Sequence, residues 1–269
     1  MPRTRLFWDI ETLPLILTGW GLWDQNFSHE HILQGSAVCC ASWRWDDEKT
    51  TYTVSLLDDP QAFKRSPYDD TVVIKKLHEV VSKAPMAIAH NGDKFDLKIL
   101  RTRCIKHKMS PFRIVTFDTL KCVRKEFRFD SNKLDNLGHD LDKGRKEKTG
   151  GIELWQRIIG KPFEPRSGKI LADSGKAMRK MIKYNRRDVE LLQDVYQELA
   201  PWASSHPNVS LMKGHIWTCC PKCQSKDVIR NGYRYTTAGA TQKYACRNCG
   251  NPFIVDRKSL PGRPEVKAA

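Results

Sequence analysis

Acidic side chains near the start of the chain are spaced so that they could share a metal ion. Asp9 and Glu11 alternate in FWDIET, residues 7–12, and a strand would direct both to one face because strand side chains alternate with a period of two. Two carboxylates in so small a space repel each other unless a proton or a hard divalent cation lies between them. The pair alone indicates either a cation site or a solvated strand end, which would have the same pattern.

Further acids stand at the start of one predicted helix and on the face of another. Asp96 closes HNGDKFD, residues 90–96, which joins a short apolar run to a helix predicted over residues 94–108. Tyr184 and Asp188 are four residues apart in YNRRDVELL and share one face of a long helix predicted over residues 174–199. Taken singly, Asp96 could be a helix-capping acid and Asp188 an ordinary exposed one.

Cysteines near the carboxyl end form two Cys-x-x-Cys knuckles. Cys220 and Cys223 make the first and Cys246 and Cys249 the second, with 22 residues between them. Two knuckles complete the tetrahedral thiolate shell typical of structural zinc, so we predict one zinc ion, with a redox dithiol as the alternative. Cys219 is one cysteine too many, and the proline-containing CPKC register makes Cys220 the better ligand.

Composition narrows the class of protein. The 269 residues include 46 Lys and Arg against 31 Asp and Glu, a net charge of +15, which favours polyanionic partners because basic surfaces attract phosphate and release counterions. Mean hydropathy is −0.56, no run of apolar residues is long enough for a membrane span, and the amino terminus does not resemble a signal peptide. We therefore expect no membrane partner and a cytoplasmic protein, in the host cytoplasm if the chain is viral.

Strand-like and helix-like segments are interleaved over the first two hundred residues, which predicts an α/β fold. Strands are predicted at 5–10, 37–45, 51–57 and 86–90. Two prolines and small polar residues after the long helix indicate a linker. The predicted organisation is a first domain over residues 1–203, a linker over 204–214, a zinc ribbon over 215–255 and a disordered tail over 256–269. Asn231-Gly232 predicts a tight hairpin turn inside the ribbon.

The acidic motifs, in their order, resemble those of the DEDD or DnaQ-like 3′–5′ exonucleases in their tyrosine-bearing branch, DEDDy. FWDIET resembles the first motif of that family, HNGDKFD the second and YNRRDVELL the third, and the similarity extends over residues 4–200. The resemblance implies a ribonuclease H-like mixed sheet flanked by helices. It assigns the metal-binding role to four acids and a place beside the attacking water to a tyrosine: Asp9, Glu11, Asp96, Asp188 and Tyr184.

Four carboxylates suit two Mg²⁺ or Mn²⁺ ions, which in such hydrolases activate water and stabilise the leaving 3′ oxygen. Tyr184, with an ordinary pKa near 10, is a poor base at pH 7 and is expected to orient the water. A glycine-flanked basic segment, residues 143–151, predicts a mobile loop that contacts substrate phosphates, with solvated surface as the alternative. Candidate nucleic-acid contacts in this part of the chain are Asn91, Lys146 and Lys148.

The ribbon residues 220–235 and 242–253 resemble zinc ribbons at the amino end of some bacterial transposases, which bind nucleic acid. The resemblance agrees with basic side chains interleaved with tyrosines. A protein-docking or purely structural ribbon is the alternative. Candidate contacts in the ribbon are Arg230, Arg234, Lys243 and Arg247.

The sequence therefore predicts a metal-dependent 3′–5′ exonuclease with a zinc ribbon that helps to hold nucleic acid. SNKLDNLG, residues 131–138, is also similar to proofreading domains of family B DNA polymerases. The second and third motifs look most like those of DNA proofreading domains, which favours single-stranded DNA over RNA. A proofreading role would need a partner, so a replication or repair polymerase is a candidate partner, although no sequence feature identifies one. An exoribonuclease and a catalytically silent nucleic-acid-binding adaptor are the alternative functions.

Overall fold

The computed structural model describes residues 5–21, 23–160, 173–208, 219–223 and 225–254. Its strands are β1 (Arg5–Leu13), β2 (Ile16–Leu17), β3 (Ile32–Gln34), β4 (Ala37–Trp45), β5 (Tyr52–Ser55), β6 (Met86–Ala89), β7 (Val115–Asp118), β8 (Val228–Thr236), β9 (Gly239–Cys246) and β10 (Pro252–Ile254). Its α-helices are α1 (Pro60–Arg65), α2 (Thr71–Lys83), α3 (Asp96–Lys106), α4 (Thr119–Glu126), α5 (Leu134–Asp140), α6 (Glu153–Ile158) and α7 (Ser174–Leu199).

Five strands form a mixed sheet in the order β5-β4-β1-β6-β7. Strand β1 is antiparallel to β4 and parallel to β6, and β6 is parallel to β7. Residues on the two faces of β1 enter different apolar clusters, since Leu6 and Trp8 pack with α2 and α3 whereas Phe7 packs with α4, α5 and the second half of α7. The predicted α/β fold, a mixed sheet flanked by helices, is confirmed.

Helix α7 has the bounds that its apolar spacing predicted and covers the sheet along β1 and β4. Asp173 begins it by accepting a hydrogen bond from the Lys176 N–H at 2.7 Å, and Pro201 follows its last turn. Three polar residues interrupt its buried face, namely Asn185, Asp188 and Gln193. Burying polar groups is costly unless they are paired. Gln193 accepts a hydrogen bond from Arg44 Nη1 at 3.1 Å, so Asn185 and Asp188 are the positions that indicate a site rather than core.

The ribbon is a three-stranded antiparallel sheet in the order β10-β9-β8. The predicted turn at Asn231-Gly232 is wrong. Arg230 pairs with Tyr244 and Tyr233 pairs with Gln242, so the two intervening residues form a bulge inside β8. Gly232, at φ +68°, takes the left-handed conformation that such bulges require. The chain reverses between Thr236 and Gly239 instead.

Parts of the predicted organisation fall outside the described residues. These parts are residues 1–4, 22 and 161–172 of the first domain, linker residues 209–214, residues 215–218, 224 and 255 of the ribbon, and the tail 256–269. In the part of the chain that the structure describes, no helix is both long and apolar enough to cross a membrane.

Candidate active site and zinc centre

Asp9, Glu11 and Asp188 converge at the middle of the mixed sheet. Carboxylate oxygens from the three residues all lie within 4.8 Å of one another. Asp9 and Glu11 extend from the same face of β1, and α7 brings Asp188 across that face. Asp188 is 1% exposed. Strand alternation and helix packing thus bring together three of the four acids that the sequence singled out.

Asp96, the fourth acid, lies next to this group and is tied to it through β1. Its Oδ1 accepts a hydrogen bond from the Ile10 N–H at 3.1 Å, so the first turn of α3 is fixed to the strand between Asp9 and Glu11. The preceding turn requires glycine, because a Cβ on Gly92 would lie 2.3 Å from the Ala89 Cβ.

Asp118, at the end of β7, holds the same turn from the other side. Its Oδ1 accepts hydrogen bonds from the N–H groups of Asn91 at 2.9 Å and Leu120 at 3.0 Å. The second of these begins α4. His90 shares hydrogen bonds with Thr119 and the Asn132 carbonyl, both at 2.9 Å. Asp118 and His90 therefore support the turn that carries Asp96.

Lys146 enters the acid cluster, where the sequence had suggested only a contact to substrate. Its Nζ donates to Asp188 Oδ2 at 2.6 Å and to the Tyr184 hydroxyl at 3.3 Å. Asp135 on α5 holds the loop in place by accepting from the Lys146 N–H at 2.8 Å and from Arg145 Nη1 at 2.9 Å. Lys148, further along the loop, is exposed.

Asn185 is a site residue that the sequence did not single out. It is completely buried, and its Nδ2 donates to Asp9 Oδ2 at 2.6 Å. The signal that could have found it is an amide on the apolar face of α7, next to Tyr184. Asn185 therefore fixes one oxygen of Asp9.

Burial and mutual repulsion disfavour the ionised acids in the absence of a cation. Burial raises the pKa of Glu11 to about 8, with Asp188 adding to the rise, and burial raises the pKa of Asp96 to about 7. The pKa of Asp9 is raised by burial and then by Asp96, and that of Asp188 is raised by burial while Lys146 opposes the rise.

The donor set fits a divalent metal ion. Asp188 Oδ1 is buried and has no hydrogen-bond partner among the described residues, which is costly unless a ligand satisfies it. Several carboxylates share one space with a single ammonium group, so added positive charge would relieve their repulsion. Oxygen donors of this kind are those that Mg²⁺ and Mn²⁺ prefer.

A cleft of about 650 Å³ opens beside the acids. Lys146 lines this cleft and also contacts Asp188, so the cleft and the acid cluster are neighbours at this residue. The other lining residues include cationic and amide side chains that suit phosphate and base edges. They are His90, Asn91, Leu120, Arg124, Ser131, Asn132, Lys133, Leu134 and Asp135.

The four knuckle cysteines form a second candidate metal centre. Their sulfur atoms all lie within 4.8 Å of one another, with Cys220 and Cys249 at 3.6 Å and Cys223 and Cys246 at 3.5 Å. A tetrahedron with Zn–S bonds of about 2.3 Å has sulfur–sulfur edges of about 3.8 Å. The cluster contains Cys220 and not Cys219, so its geometry fits one zinc ion.

Amide groups support the cysteine sulfurs, as expected around a thiolate centre. Asn248 Nδ2 donates to Cys223 Sγ at 3.7 Å, and Asn251 Nδ2 donates to Cys220 Sγ at 3.8 Å. The candidate nucleic-acid contacts of the ribbon lie on its sheet, except Arg247, which lies in the second knuckle. Arg230, Arg234 and Arg247 are exposed, and Lys243 is partly exposed.

Comparison with known proteins identifies the family. Residues 32–200, more than half of the chain, match the model of the RNase_H superfamily, and the chain belongs to this superfamily. The match includes Asp96, Tyr184 and Asp188, whereas Asp9 and Glu11 precede it.

A family B DNA polymerase from the hyperthermophilic archaeon Pyrobaculum calidifontis is a similar solved structure. The sequences are 15% identical, the TM-score is 0.49, and the similarity covers 75% of this chain and 25% of the polymerase. This chain therefore spans about a quarter of the polymerase. None of the curated proteins matches the chain.

Proposed function

We propose that the protein is a metal-dependent 3′–5′ exonuclease that hydrolyses phosphodiester bonds of DNA, with single-stranded 3′ ends preferred. One observation carries the proposal: oxygens of Asp9, Glu11 and Asp188 lie within 4.8 Å of one another, and Asp188 Oδ1 is buried without a partner among the described residues. Nuclease chemistry in general agrees with membership of the RNase_H superfamily. The 3′–5′ direction and the preference for DNA rest on the motif resemblance.

The four acids would hold two Mg²⁺ or Mn²⁺ ions. When bound, the two ions supply the positive charge that activates a water molecule and stabilises the leaving 3′ oxygen. Asn185 keeps Asp9 oriented through its 2.6 Å hydrogen bond, and Ile10 keeps Asp96 beside the pair on β1. These contacts hold the acids in place before substrate arrives, which reduces the reorganisation needed during reaction.

Tyr184 would position the attacking water rather than deprotonate it. Burial raises the pKa of Tyr184 to about 12, and Asp188 adds to the rise although Lys146 opposes it. The hydroxyl therefore stays protonated at neutral pH and can donate a hydrogen bond. Lys146, 3.3 Å from that hydroxyl, limits where it can point and offers an ammonium group to a substrate phosphate.

The cleft beside the acids would hold the end of the substrate strand. Asn91 and Lys146 line it, which supports both as nucleic-acid contacts, and the exposed Lys148 suits a phosphate further along the strand. On the ribbon, Arg230, Arg234, Lys243 and Arg247 would add sequence-independent contacts. We keep the cytoplasm as the proposed compartment and a replication or repair polymerase as a proposed partner.

The test is a substrate comparison with variants that lose charge but keep volume. Wild type, Asp9→Asn and Asp188→Asn would be incubated with 5′-labelled single-stranded DNA, duplex DNA and RNA of one sequence, with and without added Mn²⁺. The proposal predicts a ladder that shortens from the 3′ end, only with Mn²⁺ and only in wild type, fastest on single-stranded DNA. Equal zinc content in all three proteins would confine the difference to the acid cluster.

Other outcomes select the alternatives. Faster shortening of RNA than of DNA would make the protein an exoribonuclease. Tight binding of nucleic acid without cation-dependent cleavage would leave a catalytically silent adaptor, with the ribbon as its binding part.

A further inference from the structure

Two residues of the first zinc knuckle are buried, whereas the sheet that follows it is exposed. Cys220 is 0% and Lys222 is 9% exposed, but Tyr233 is 52% and Tyr235 is 77% exposed. A cysteine at a zinc centre is buried in any ribbon, but a lysine of an appended module would be expected to be exposed. The contrast indicates that the knuckle faces the body of the protein formed by the mixed sheet and its helices, here called the nuclease body.

Lys222, between the two cysteines of the knuckle, contacts the end of α7. Its Nζ donates to the Pro201 carbonyl at 2.9 Å, two residues after the helix ends. The carbonyl of Lys222 in turn accepts from Arg5 Nη1 at 3.3 Å. Lys222 thus connects the zinc knuckle to two elements. Its side chain contacts Pro201, just after α7, and its backbone carbonyl contacts Arg5, the first residue of β1.

Arg5 continues the connection into the elements that carry the acids. Its Nε pairs with Asp46 at 2.8 Å, and its Nη1 donates to the Tyr196 hydroxyl at 3.4 Å. Arg5 is four residues before Asp9 in β1, and Tyr196 is eight residues after Asp188 in α7. The strand β1 and the helix α7, which carry three of the four acids, therefore meet the knuckle at one point.

His206 closes the junction from the residues after α7. It shares a 2.6 Å hydrogen bond with the Tyr196 hydroxyl, and its ring lies 4.7 Å from that of Phe117 at the end of β7. Residues that the sequence assigned to a linker thus pack against the mixed sheet. The junction is polar, partly buried and hydrogen-bonded at each step, which suits a fixed interface rather than a hinge.

The negative charge of the zinc centre also favours a knuckle that packs beside cationic side chains. Four thiolates around one Zn²⁺ carry a net charge of about −2, and a buried anion is costly unless a cation lies near it. Lys222 belongs to the knuckle and is 9% exposed, so its ammonium group, on the Pro201 carbonyl, is a nearly buried cation close to the cysteines in sequence. The guanidinium of Arg5 lies beside the Lys222 carbonyl.

We infer that the first zinc knuckle is a built-in part of the nuclease body, in which Lys222 and Arg5 link the zinc centre to the strand and the helix that carry the acids. The inference goes beyond the proposed function and rests on the zinc assignment rather than on hydrolysis. It implies that loss of zinc loosens the nuclease body and the acid cluster, while the exposed sheet of the ribbon stays free to bind nucleic acid.

Thermal unfolding of the full chain, followed by tryptophan fluorescence, tests this directly. Seven of the eight tryptophans precede residue 204, so the signal reports on the nuclease body. We expect removal of zinc by a thiol-compatible chelator to lower the melting temperature of this signal by about 3–10 °C, the shift that a loss of one to a few kcal/mol produces at this size. An unchanged melting temperature after verified zinc loss would overturn the inference.

A matched pair of lysine variants tests whether Lys222 itself stabilises the zinc centre. Lys222→Met keeps the length of the side chain and removes its contact to Pro201, whereas Lys226→Met makes the same change at an exposed position of the ribbon. We expect Lys222→Met to release zinc to the chelator about tenfold more readily, the usual effect of removing a group that supports metal ligands. Lys226→Met should behave as wild type, and equal release from both variants would contradict the role of Lys222.

Mn²⁺ binding provides a readout at the acid cluster without substrate. Titration followed by electron paramagnetic resonance should show weaker Mn²⁺ binding in zinc-depleted wild type than in zinc-loaded wild type, with Asp188→Asn as the reference for loss of the site. Identical Mn²⁺ affinity in the two wild-type samples would contradict the link. These measurements do not depend on cleavage. If the exonuclease assay failed but the melting temperature depended on zinc, the proposed function would be rejected and this inference would stand.

Discussion

Lys146 Nζ lies 2.6 Å from Asp188 Oδ2, so a cation from the loop after α5 is already inside the carboxylate cluster. Asp135 holds that loop through the backbone of Lys146, and the same ammonium group lies 5.3 Å from the centre of the Tyr184 ring. Lys146 therefore orders the two α7 side chains of the site.

Replacement of Lys146 by Met is expected to lower kcat by about 10–100-fold, since a hydrogen bond to a charged group contributes about 1.5–3 kcal/mol. Mn²⁺ affinity should not fall, because the change removes a positive charge beside the carboxylates. Lys148→Met is the control in the same loop and should raise KM with little effect on kcat. Steady-state kinetics with single-stranded DNA measures kcat and KM for both variants. The same change in kcat in both variants would contradict a role for Lys146 that Lys148 does not share.

Tyr184→Phe is expected to slow hydrolysis by about 10–100-fold without abolishing it. The ring and its packing stay, and only the hydroxyl that orients the water is lost. Single-turnover rates for this variant, Asp9→Ala and Asp188→Asn would rank the three. A loss as deep as that in Asp9→Ala would mean that Tyr184 takes part more directly than the proposal allows.

The raised pKa values of the acids predict a pH dependence. Burial raises the pKa of Glu11 to about 8 and that of Asp96 to about 7, above the ordinary carboxyl pKa of about 4. These acids thus bind more protons in the folded, metal-free protein than in the unfolded chain, and their own contribution to stability should fall as pH rises from about 4 to about 8.

Cation binding reverses this trend, because cations bind the ionised acids and protons compete with them. The rise in melting temperature on adding Mn²⁺ should therefore be larger at pH 8 than at pH 6. Asp188→Asn, which lacks one ligand, should show a smaller rise at both pH values. A rise in wild type that is independent of pH would contradict the assignment of these acids as ligands.

Some elements of the fold and the site could be predicted from the sequence, and others could not. The period of apolar residues predicted β4 and α7 with the bounds observed, and strand alternation placed Asp9 and Glu11 on one face. Asn231-Gly232 misled because a local turn preference also suits a bulge when the partner strand extends past it. The contacts of Lys146 with Asp188 and of Arg5 with Lys222 join residues 42 and 217 positions apart, which no local pattern encodes.

The exposed arginines of β8 predict a change in the salt dependence of binding. In an Asp188→Asn background, which prevents cleavage, Arg230→Ala with Arg234→Ala should weaken binding of single-stranded DNA. The slope of log K against log salt should become less steep by about 1.4, because each phosphate contact on a single strand contributes about 0.7. A control pair on the nuclease body, Lys49→Ala with Lys75→Ala, removes two exposed charges. Equal slopes for the two pairs would contradict a specific role for the ribbon.

Isotope analysis of the released nucleotide tests the central claim most directly. Hydrolysis by water with a 3′ oxygen as the leaving group transfers one solvent oxygen to the phosphate of each nucleotide removed. In ¹⁸O-labelled water with Mn²⁺ and single-stranded DNA, the first nucleotide that wild type releases should be the 3′-terminal one, as a 5′-mononucleotide that carries one ¹⁸O, and Asp188→Asn should release none. Internal cleavage, unlabelled or 3′-phosphorylated products, or equal release by both proteins would contradict a two-metal 3′–5′ exonuclease.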